Sequence, residues 1–136
     1  MKVRSPLLSV ALGLLVSSTA FGQALWTGTI DSSLNGLLNW TGGLPAANDL
    51  IFSTTLQPVV TVDASIAVKS ISFNGLYPNY SFSSPNGSLL SIGNGGISVG
   101  SQGSNVVDFG STVSLQLDSS QTWVVDGLLR VNGSIT

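Results

Sequence analysis

The spacing of short apolar runs is the feature that most constrains the fold. Between residues 50 and 131, ten runs of three to eight residues are separated by Gly, Asn, Ser and Pro. Successive centres lie about 6–12 residues apart, which is typical of an all-β sandwich, barrel or solenoid. The predicted strands are residues 50–52, 59–62, 66–73, 80–83, 89–92, 97–99, 106–109, 113–117, 123–125 and 128–131. No helical periodicity of useful length competes with this pattern, so the sequence predicts an all-β protein.

Alternation within the runs indicates which side chains face a core. In residues 113–117, apolar side chains alternate with Ser114 and Gln116, as in a strand with one buried face. In residues 66–73 the phase of the alternation changes after Lys69. This change predicts a β-bulge or a corner at that point.

Internal repetition favours a solenoid over a sandwich. Residues 89–97 and 128–135 both read Leu-Leu-x-Ile/Val, then a Gly/Asn corner, then Ile, and they are offset by 39 residues. Two coils of about 20 residues would give this offset, which favours the N-terminal end of a right-handed parallel β-helix. The alternative is an antiparallel β-sandwich, with hairpin turns at residues 74–79 and 85–88. The second copy of the pattern predicts a segment that is incomplete at its C-terminus.

The first 24 residues have the organisation of an export signal. Lys2 and Arg4 precede an apolar run of ten residues (7–16) and then a run of small residues. Cleavage fits before Gln23 or before Leu25, and the apolar run is too short to span a bilayer. We therefore predict a signal peptide over residues 1–24 and a β domain over residues 25–136, located outside the cell or at its surface and not spanning a membrane.

The amino-acid composition excludes most classes of catalytic and metal-binding site. The sequence contains no Cys, no His and no Glu, so thiolate, imidazole and zinc sites are excluded, and we predict no cofactor and no metal. Residues 25–136 contain six Asp and two cations, Lys69 and Arg130, and therefore carry a net charge of −4. Nucleic acid is an unsuitable partner, because two cations cannot form a basic footprint.

Enzymatic activity is not predicted. A glycosidase needs two carboxyl groups, one with a raised pKa, and Asp108 and Asp118 are the best available pair because each adjoins a β run. A β-helix polysaccharide lyase would need clustered acidic ligands and a base, which Lys69 or Arg130 would have to supply. Such a polysaccharide-degrading enzyme is the weakest alternative.

Three tryptophans, Trp26, Trp40 and Trp123, are candidates for capping the core or for stacking on sugar rings. Trp40 lies in a turn-rich stretch, Asn-Trp-Thr-Gly-Gly, which is typical of a cap. We therefore favour capping, with Phe52 as the third aromatic residue of the cap beside Trp26 and Trp40.

A family resemblance rests on degenerate motifs spread over residues 25–136. The matching positions are Trp26, Asn39-Trp40, Gly43, Pro45, Asp49, Phe52, residues 60–63, 66, 68–73, Tyr80, 89–92 and 96–97. They resemble the N-terminal region of bacterial proteins with autotransporter-associated β-strand repeats, although the Gly-rich repeats that usually follow do not occur in this chain. The resemblance implies a parallel β-helix passenger with adhesin-like surface roles and no catalytic residues.

The resulting functional prediction is a non-enzymatic structural or adhesin-like segment of a secreted or surface-displayed bacterial protein. Its expected partners are an extracellular polysaccharide or a ligand on a host or cell surface. End-to-end self-association is expected if the solenoid is truncated, because an uncovered coil exposes unpaired strand edges. The alternative function is that of a secreted carbohydrate-binding β-sandwich.

Overall fold

The structure is a computed structural model that describes residues 22–53, 57–75, 79–100 and 106–136. These residues contain eleven strands and one three-residue 3₁₀ helix, Leu37–Asn39. The strands are β1 (Gln23–Trp26), β2 (Trp40–Thr41), β3 (Asp49–Phe52), β4 (Val59–Thr61), β5 (Ile66–Phe73), β6 (Asn79–Ser83), β7 (Leu89–Val99), β8 (Val106–Phe109), β9 (Ser114–Leu117), β10 (Val124–Val125) and β11 (Leu128–Val131).

The strands form a parallel β-solenoid of about four turns. Apart from the two-residue β2, the strands pair in parallel with strands of the neighbouring coil, so that Leu50 of β3 lies between Ala24 of β1 and Ile71 of β5. A sandwich would instead pair sequence neighbours through hairpins in antiparallel fashion. The solenoid prediction is therefore confirmed, and the sandwich alternative is wrong.

The coils stack into three columns of strands. Column 1 contains β1, β3, residues 70–73 of β5, residues 96–99 of β7, and β10. Column 2 contains β4, β6, β8 and β11. Column 3 contains residues 66–68 of β5, residues 89–92 of β7, and β9, followed by a bridge from Leu115 to Ile135.

The predicted bulge is present. The register of β5 against β7 shifts between Val68 and Ser70, where the chain passes from column 3 to column 1. One coil later, Gly96 is the first residue of column 1 after the same change of column. Its φ is +66°, and a Cβ at this position would lie 2.6 Å from the Thr122 carbonyl oxygen. The corner thus requires glycine for two reasons, the left-handed backbone and the close approach of a neighbouring coil.

Substitution of Gly96 distinguishes the cost of the left-handed backbone from the cost of the clash with the neighbouring coil. We expect Gly96→Ala to lower the free energy of unfolding by about 2–4 kcal/mol, because it combines backbone strain with a backbone clash. Gly87→Ala is the matched control, since Gly87 has φ +65° but no neighbouring atom within 4 Å of the position that a Cβ would take. The control is expected to cost about 1 kcal/mol. Equal losses in urea denaturation would show that the clash contributes nothing.

The predicted repeat alignment is wrong. Residues 89–97 begin in column 3, beside β9, whereas residues 128–135 begin as β11 in column 2, beside β8. The true spacing is uneven, because successive partners Leu50, Ile71 and Ile97 are 21 and then 26 residues apart. Corners of different length produce this variation, so a fixed sequence period does not identify the columns.

Inward-facing side chains form one apolar core through the stack. Aromatic rings stack between coils in two columns, with ring centroids 5.0 Å apart for Phe52 and Phe73 and 4.6 Å apart for Phe82 and Phe109. All four rings are essentially inaccessible to solvent. The core needs no disulfide, because each coil is covered by the next.

Residues 1–21 of the predicted signal peptide lie outside the described residues. Its last two residues, Gln23 and Ala24, belong to β1 and pair with Asp49 and Leu50. Ala24 is fully buried. The solenoid therefore begins before residue 25, the predicted start of the β domain.

Candidate functional site

The first coil carries the aromatic residues predicted for a cap. β2 pairs antiparallel with β1 on the side away from β3, which places Trp40 opposite Trp26. Their ring centroids are 5.1 Å apart in an edge-to-face arrangement, and each ring is 5.6 Å from that of Phe52. Trp26 is 0% and Trp40 6% exposed. These two rings are packed into the end of the core and offer no open face for stacking on a sugar.

The indole N–H groups are also satisfied within the protein. Trp40 Nε1 donates to the Leu34 carbonyl oxygen at 2.8 Å, and Trp26 Nε1 donates to the Gln57 carbonyl oxygen at 3.1 Å. A buried indole without such a partner would be destabilising. The hydrogen bonds therefore fix both rings over the first coil.

The strand edges of the first coil are covered in columns 1 and 2. In column 1, β2 occupies the outer edge of β1. In column 2, Leu34 N donates to the Thr61 carbonyl oxygen at 2.8 Å, and Thr61 N donates to the Ser32 carbonyl oxygen at 2.7 Å. These contacts use the backbone groups that an edge strand would otherwise leave free.

Column 3 is covered in the same way by the chain before β3. Ala47 N donates to the Ala67 carbonyl oxygen at 2.8 Å, and Lys69 N donates to the Asn48 carbonyl oxygen at 2.9 Å. Ala47 takes a left-handed conformation, φ 60°, to reach this position. Residues 31–48, here called the cap, thus close all three columns.

Asn39 holds the cap together. Its side-chain Oδ1 accepts hydrogen bonds from Ile30 N at 3.0 Å and Asp31 N at 3.2 Å, and its Nδ2 donates to Asp31 Oδ1 at 2.6 Å and to the Ser33 carbonyl oxygen at 3.0 Å. The side chain is 1% exposed, and the four bonds use the full capacity of an amide. Sequence reasoning placed the Asn39-Trp40 stretch in a cap but gave Asn39 no role, because its partners are fixed only by the folded loop.

Two carboxylates of the first coils have lowered pKa values. Hydrogen bonds, first from the Asn39 amide and then from Ser33 N, hold the pKa of Asp31 below its ordinary 3.8. For Asp49, burial raises the pKa, but the Ser70 hydroxyl and Lys69 outweigh burial and leave the pKa lowered. The Ser70 Oγ and Lys69 Nζ atoms lie 2.6 and 3.0 Å from the Asp49 carboxylate.

These shifts predict acid sensitivity. The pKa values of both carboxyl groups are lower in the folded state than in the unfolded state. The two carboxylates therefore stabilise the fold fully at pH values above the unfolded pKa of 3.8, and this stabilisation is lost as the pH falls through their folded pKa values. We expect the melting temperature to decline as the pH falls below about 4, and to decline less steeply in Asp31→Asn/Asp49→Asn. Asp63→Asn is the control for the loss of one carboxylate. An equal decline in all three proteins would contradict the assignment.

Trp123 lies at the other end of the solenoid. It precedes β10 in the last described coil, is partly buried against the core, and donates from Nε1 to Gln121 Oε1 at 2.7 Å. The structure therefore does not bring the three tryptophans to one face. A shared sugar-stacking platform is incompatible with this placement.

The two candidate acid residues lie on different sheets. Asp108 is in β8 of column 2, where its Oδ1 accepts a hydrogen bond from Asn132 Nδ2 at 2.8 Å. Asp118 follows β9 of column 3, and its backbone N donates to the Ile92 carbonyl oxygen. The two carboxyl groups thus belong to separate sheets, whereas a glycosidase pair must face one another across a substrate site.

Asp118 instead lines an open groove on the outer surface. The groove has a volume of about 450 Å³, and its described lining is Ala47, Ala67, Val68, Lys69 and Asp118. A second groove of about 420 Å³ shares the two alanines and extends past Leu37 and Leu44 on the cap. Both are mostly apolar, and the Lys69 ammonium in the first is already paired with Asp49 at 3.0 Å.

No group of three His, Cys, Asp or Glu side chains that could hold a metal ion occurs within residues 22–136 outside the three internal gaps. Comparisons with protein-family models, curated proteins and solved structures find no match to this chain. The resemblance to autotransporter-associated repeat proteins therefore stays a prediction from the sequence. In the described part of the chain, no helix has the length and hydropathy needed to cross a bilayer.

Proposed function

We propose that this chain is a non-enzymatic structural segment, of the adhesin-like kind, at the N-terminal end of an exported bacterial β-helix. The observation that carries the proposal is the closed first coil. Its strand edges are hydrogen-bonded to the cap in all three columns, and Trp26 and Trp40 cover the apolar core. A solenoid requires such a terminal unit to prevent edge-to-edge aggregation.

The core supports the same proposal. Apolar side chains fill the interior of the stack, and the two grooves described above lie outside it. The described carboxylates with shifted pKa values, Asp31 and Asp49, bind neighbouring groups within the first two coils. These contacts tie both carboxylates to the first two coils, which supports a stabilising role for them.

The position at which the signal peptide is cleaved tests the export proposal. Of the two predicted cleavage positions, the one before Gln23 keeps β1 whole, whereas cleavage before Leu25 removes the buried Ala24 and two register pairs with β3. We expect bacteria expressing the full chain to release a product beginning at Gln23, as determined by mass spectrometry of the extracellular and periplasmic fractions. An unprocessed chain confined to the cytoplasm would overturn the export proposal.

The enzymatic alternative is tested with the same purified product. Incubation with a panel of acidic and neutral polysaccharides is expected to release no reducing ends and no unsaturated sugar. Release that disappears in Asp108→Ala or Asp118→Ala would overturn the non-enzymatic proposal. Binding without release, detected by sedimentation of the protein with the insoluble polysaccharide, would support the adhesin-like role.

A further inference from the structure

Asn-Gly pairs undergo a covalent change that needs no enzyme, and the sequence contains five of them, at residues 35–36, 74–75, 86–87, 94–95 and 132–133. The backbone nitrogen of the glycine attacks the side-chain carbonyl carbon of the asparagine, Cγ. The bond from Cγ to the amide nitrogen breaks, and ammonia leaves with the proton of the backbone nitrogen. Water then opens the succinimide ring at one of its two carbonyl carbons, which yields aspartate or isoaspartate. Glycine favours ring closure because its backbone rotates freely, so packing around the glycine controls the reaction.

At four of these pairs, other parts of the protein pack against the glycine. A Cβ built at each would lie less than 3.0 Å from a neighbouring atom, which is closer than real Cβ atoms approach their neighbours. These contacts join Gly36 to the Asn39 amide, Gly75 to the Ser53 carbonyl, Gly95 to the Ser70 side chain, and Gly133 to the Val113 carbonyl. The glycine peptide at these positions therefore has no room to rotate unless a neighbouring segment moves.

Asn86-Gly87 lies in an open turn. Residues 84–87 form a β-turn between β6 and β7, closed by a hydrogen bond of 3.2 Å from Gly87 N to the carbonyl oxygen of Ser84. Asn86 and Gly87 are both exposed. Among the described residues, no atom beyond the chain neighbours of Gly87 lies within 4 Å of a Cβ built there. The Gly87 peptide therefore has room to rotate once the turn bond opens.

Asn35-Gly36 provides an internal comparison. The Gly36 N–H makes the same kind of turn bond, 3.2 Å to the Ser33 carbonyl oxygen. In both pairs, the asparagine amide makes a hydrogen bond of 3.3 Å with the backbone of residues 63–64. Asn35 and Asn86 are thus held alike, and the two pairs differ in the space around the glycine.

We propose that Asn86 is a site of spontaneous deamidation and isomerisation in the folded protein, with water as the co-reactant. The product carries one more negative charge than asparagine, in a region, residues 25–136, that already has a net charge of −4. Isoaspartate also lengthens the main chain of the turn by one carbon atom. Because the reaction needs only the open turn, the surface charge of the protein changes with time while the solenoid stays folded.

The turn keeps its other contacts after the reaction. Ser84 is 1% exposed, and its hydroxyl donates to the Val62 carbonyl oxygen at 3.1 Å. Ser88 Oγ donates to the Asp63 carbonyl oxygen at 3.1 Å. The reaction removes the longer bond that the Asn86 amide donates to the same carbonyl oxygen. Conversion should therefore leave the strand content unchanged in circular dichroism.

Peptide mapping of the full chain after processing tests the proposal. The protein is kept in mildly alkaline buffer, sampled over several weeks, and digested with pepsin at acid pH, where the reaction stops. Mass spectrometry measures the acid formed at each Asn-Gly pair, and fragmentation separates isoaspartate from aspartate. Asn86 is expected to react about tenfold or more faster than Asn35, because reaction at Asn35 requires local opening of the cap. In urea, where the packing is lost, the two rates should approach each other.

Asn86→Gln is the matched control, because glutamine keeps the amide but has to close a larger ring, which forms more slowly. Isoelectric focusing should show an acidic form that accumulates in the unaltered chain and not in this variant. Equal rates at Asn35 and Asn86 in the folded chain would overturn the proposal. An intact Asn86 amide after the urea-treated chain has reacted, or an acidic form that accumulates equally in Asn86→Gln, would overturn it as well.

Discussion

Replacing Phe52 by Ala is expected to lower the free energy of unfolding by about 3–5 kcal/mol, the range typical of a fully buried aromatic residue. The Phe52 ring is 0% exposed and lies where the cap meets columns 1 and 2. Its centroid is within 5.0–5.6 Å of the rings of Trp26, Trp40, Phe73, Tyr80 and Phe82. Truncation leaves a cavity that these rings cannot all fill, because each is held by its own strand or hydrogen bond.

Urea denaturation followed by tryptophan fluorescence measures this effect, since Trp26 and Trp40 border the cavity. Ile51→Ala is the control, because Ile51 is the neighbouring residue of β3, points outward and is half-buried. The control should cost about 1 kcal/mol. A domain of this size has a total stability of about 5–15 kcal/mol, so Phe52→Ala should remove a large part of it. Equal losses in the two variants would contradict the central position given to Phe52.

Replacing Asn39 by Leu is expected to cost about 3 kcal/mol or more. Leucine has the same branching and the same number of side-chain heavy atoms but removes four hydrogen bonds. The N–H groups of Ile30 and Asp31 and the Ser33 carbonyl then lack this partner in a closed loop. Asn35→Leu is the control. Asn35 is another cap amide, but it accepts one long hydrogen bond, 3.3 Å from Ala64 N. The control should cost less than about 1 kcal/mol.

Asn39→Asp distinguishes the amide's hydrogen bonds from its shape. The new carboxylate would lie beside that of Asp31, where Asn39 Nδ2 now donates at 2.6 Å. Two carboxylates at this distance repel each other and raise the pKa of the pair. We therefore expect this variant to gain stability as pH falls from about 7 towards 5, whereas the unaltered chain should not. A flat pH profile in this range would show that residue 39 does not face Asp31.

The strands from β3 onwards were predictable because a solenoid strand follows a local rule. Inward and outward side chains alternate with period two, and a change of phase marked the bulge after Lys69 without any knowledge of the neighbouring coil. The column that each strand joins was not predictable from spacing. It depends on corner lengths, and corners carry no hydrophobic period.

The cap also shows what could not be predicted from the sequence. Trp40 was identifiable as a capping residue by its size and its turn-rich surroundings, but its two-residue strand is too short to produce a pattern. Asn39 has the composition of an ordinary turn residue. Its burial arises from the path of residues 30–33 around it, which is a tertiary property.

The cap is closed by residues that follow it in the chain. Residues 32 and 34 bond to Thr61, and residues 47 and 48 bond to Ala67 and Lys69. A polypeptide that emerges N-terminus first therefore has no partner for these cap residues until residues 61–69 are available. The first segment to be made becomes rigid only after a later one, so a chain interrupted before residue 69 would leave its tryptophans exposed to solvent and to proteases.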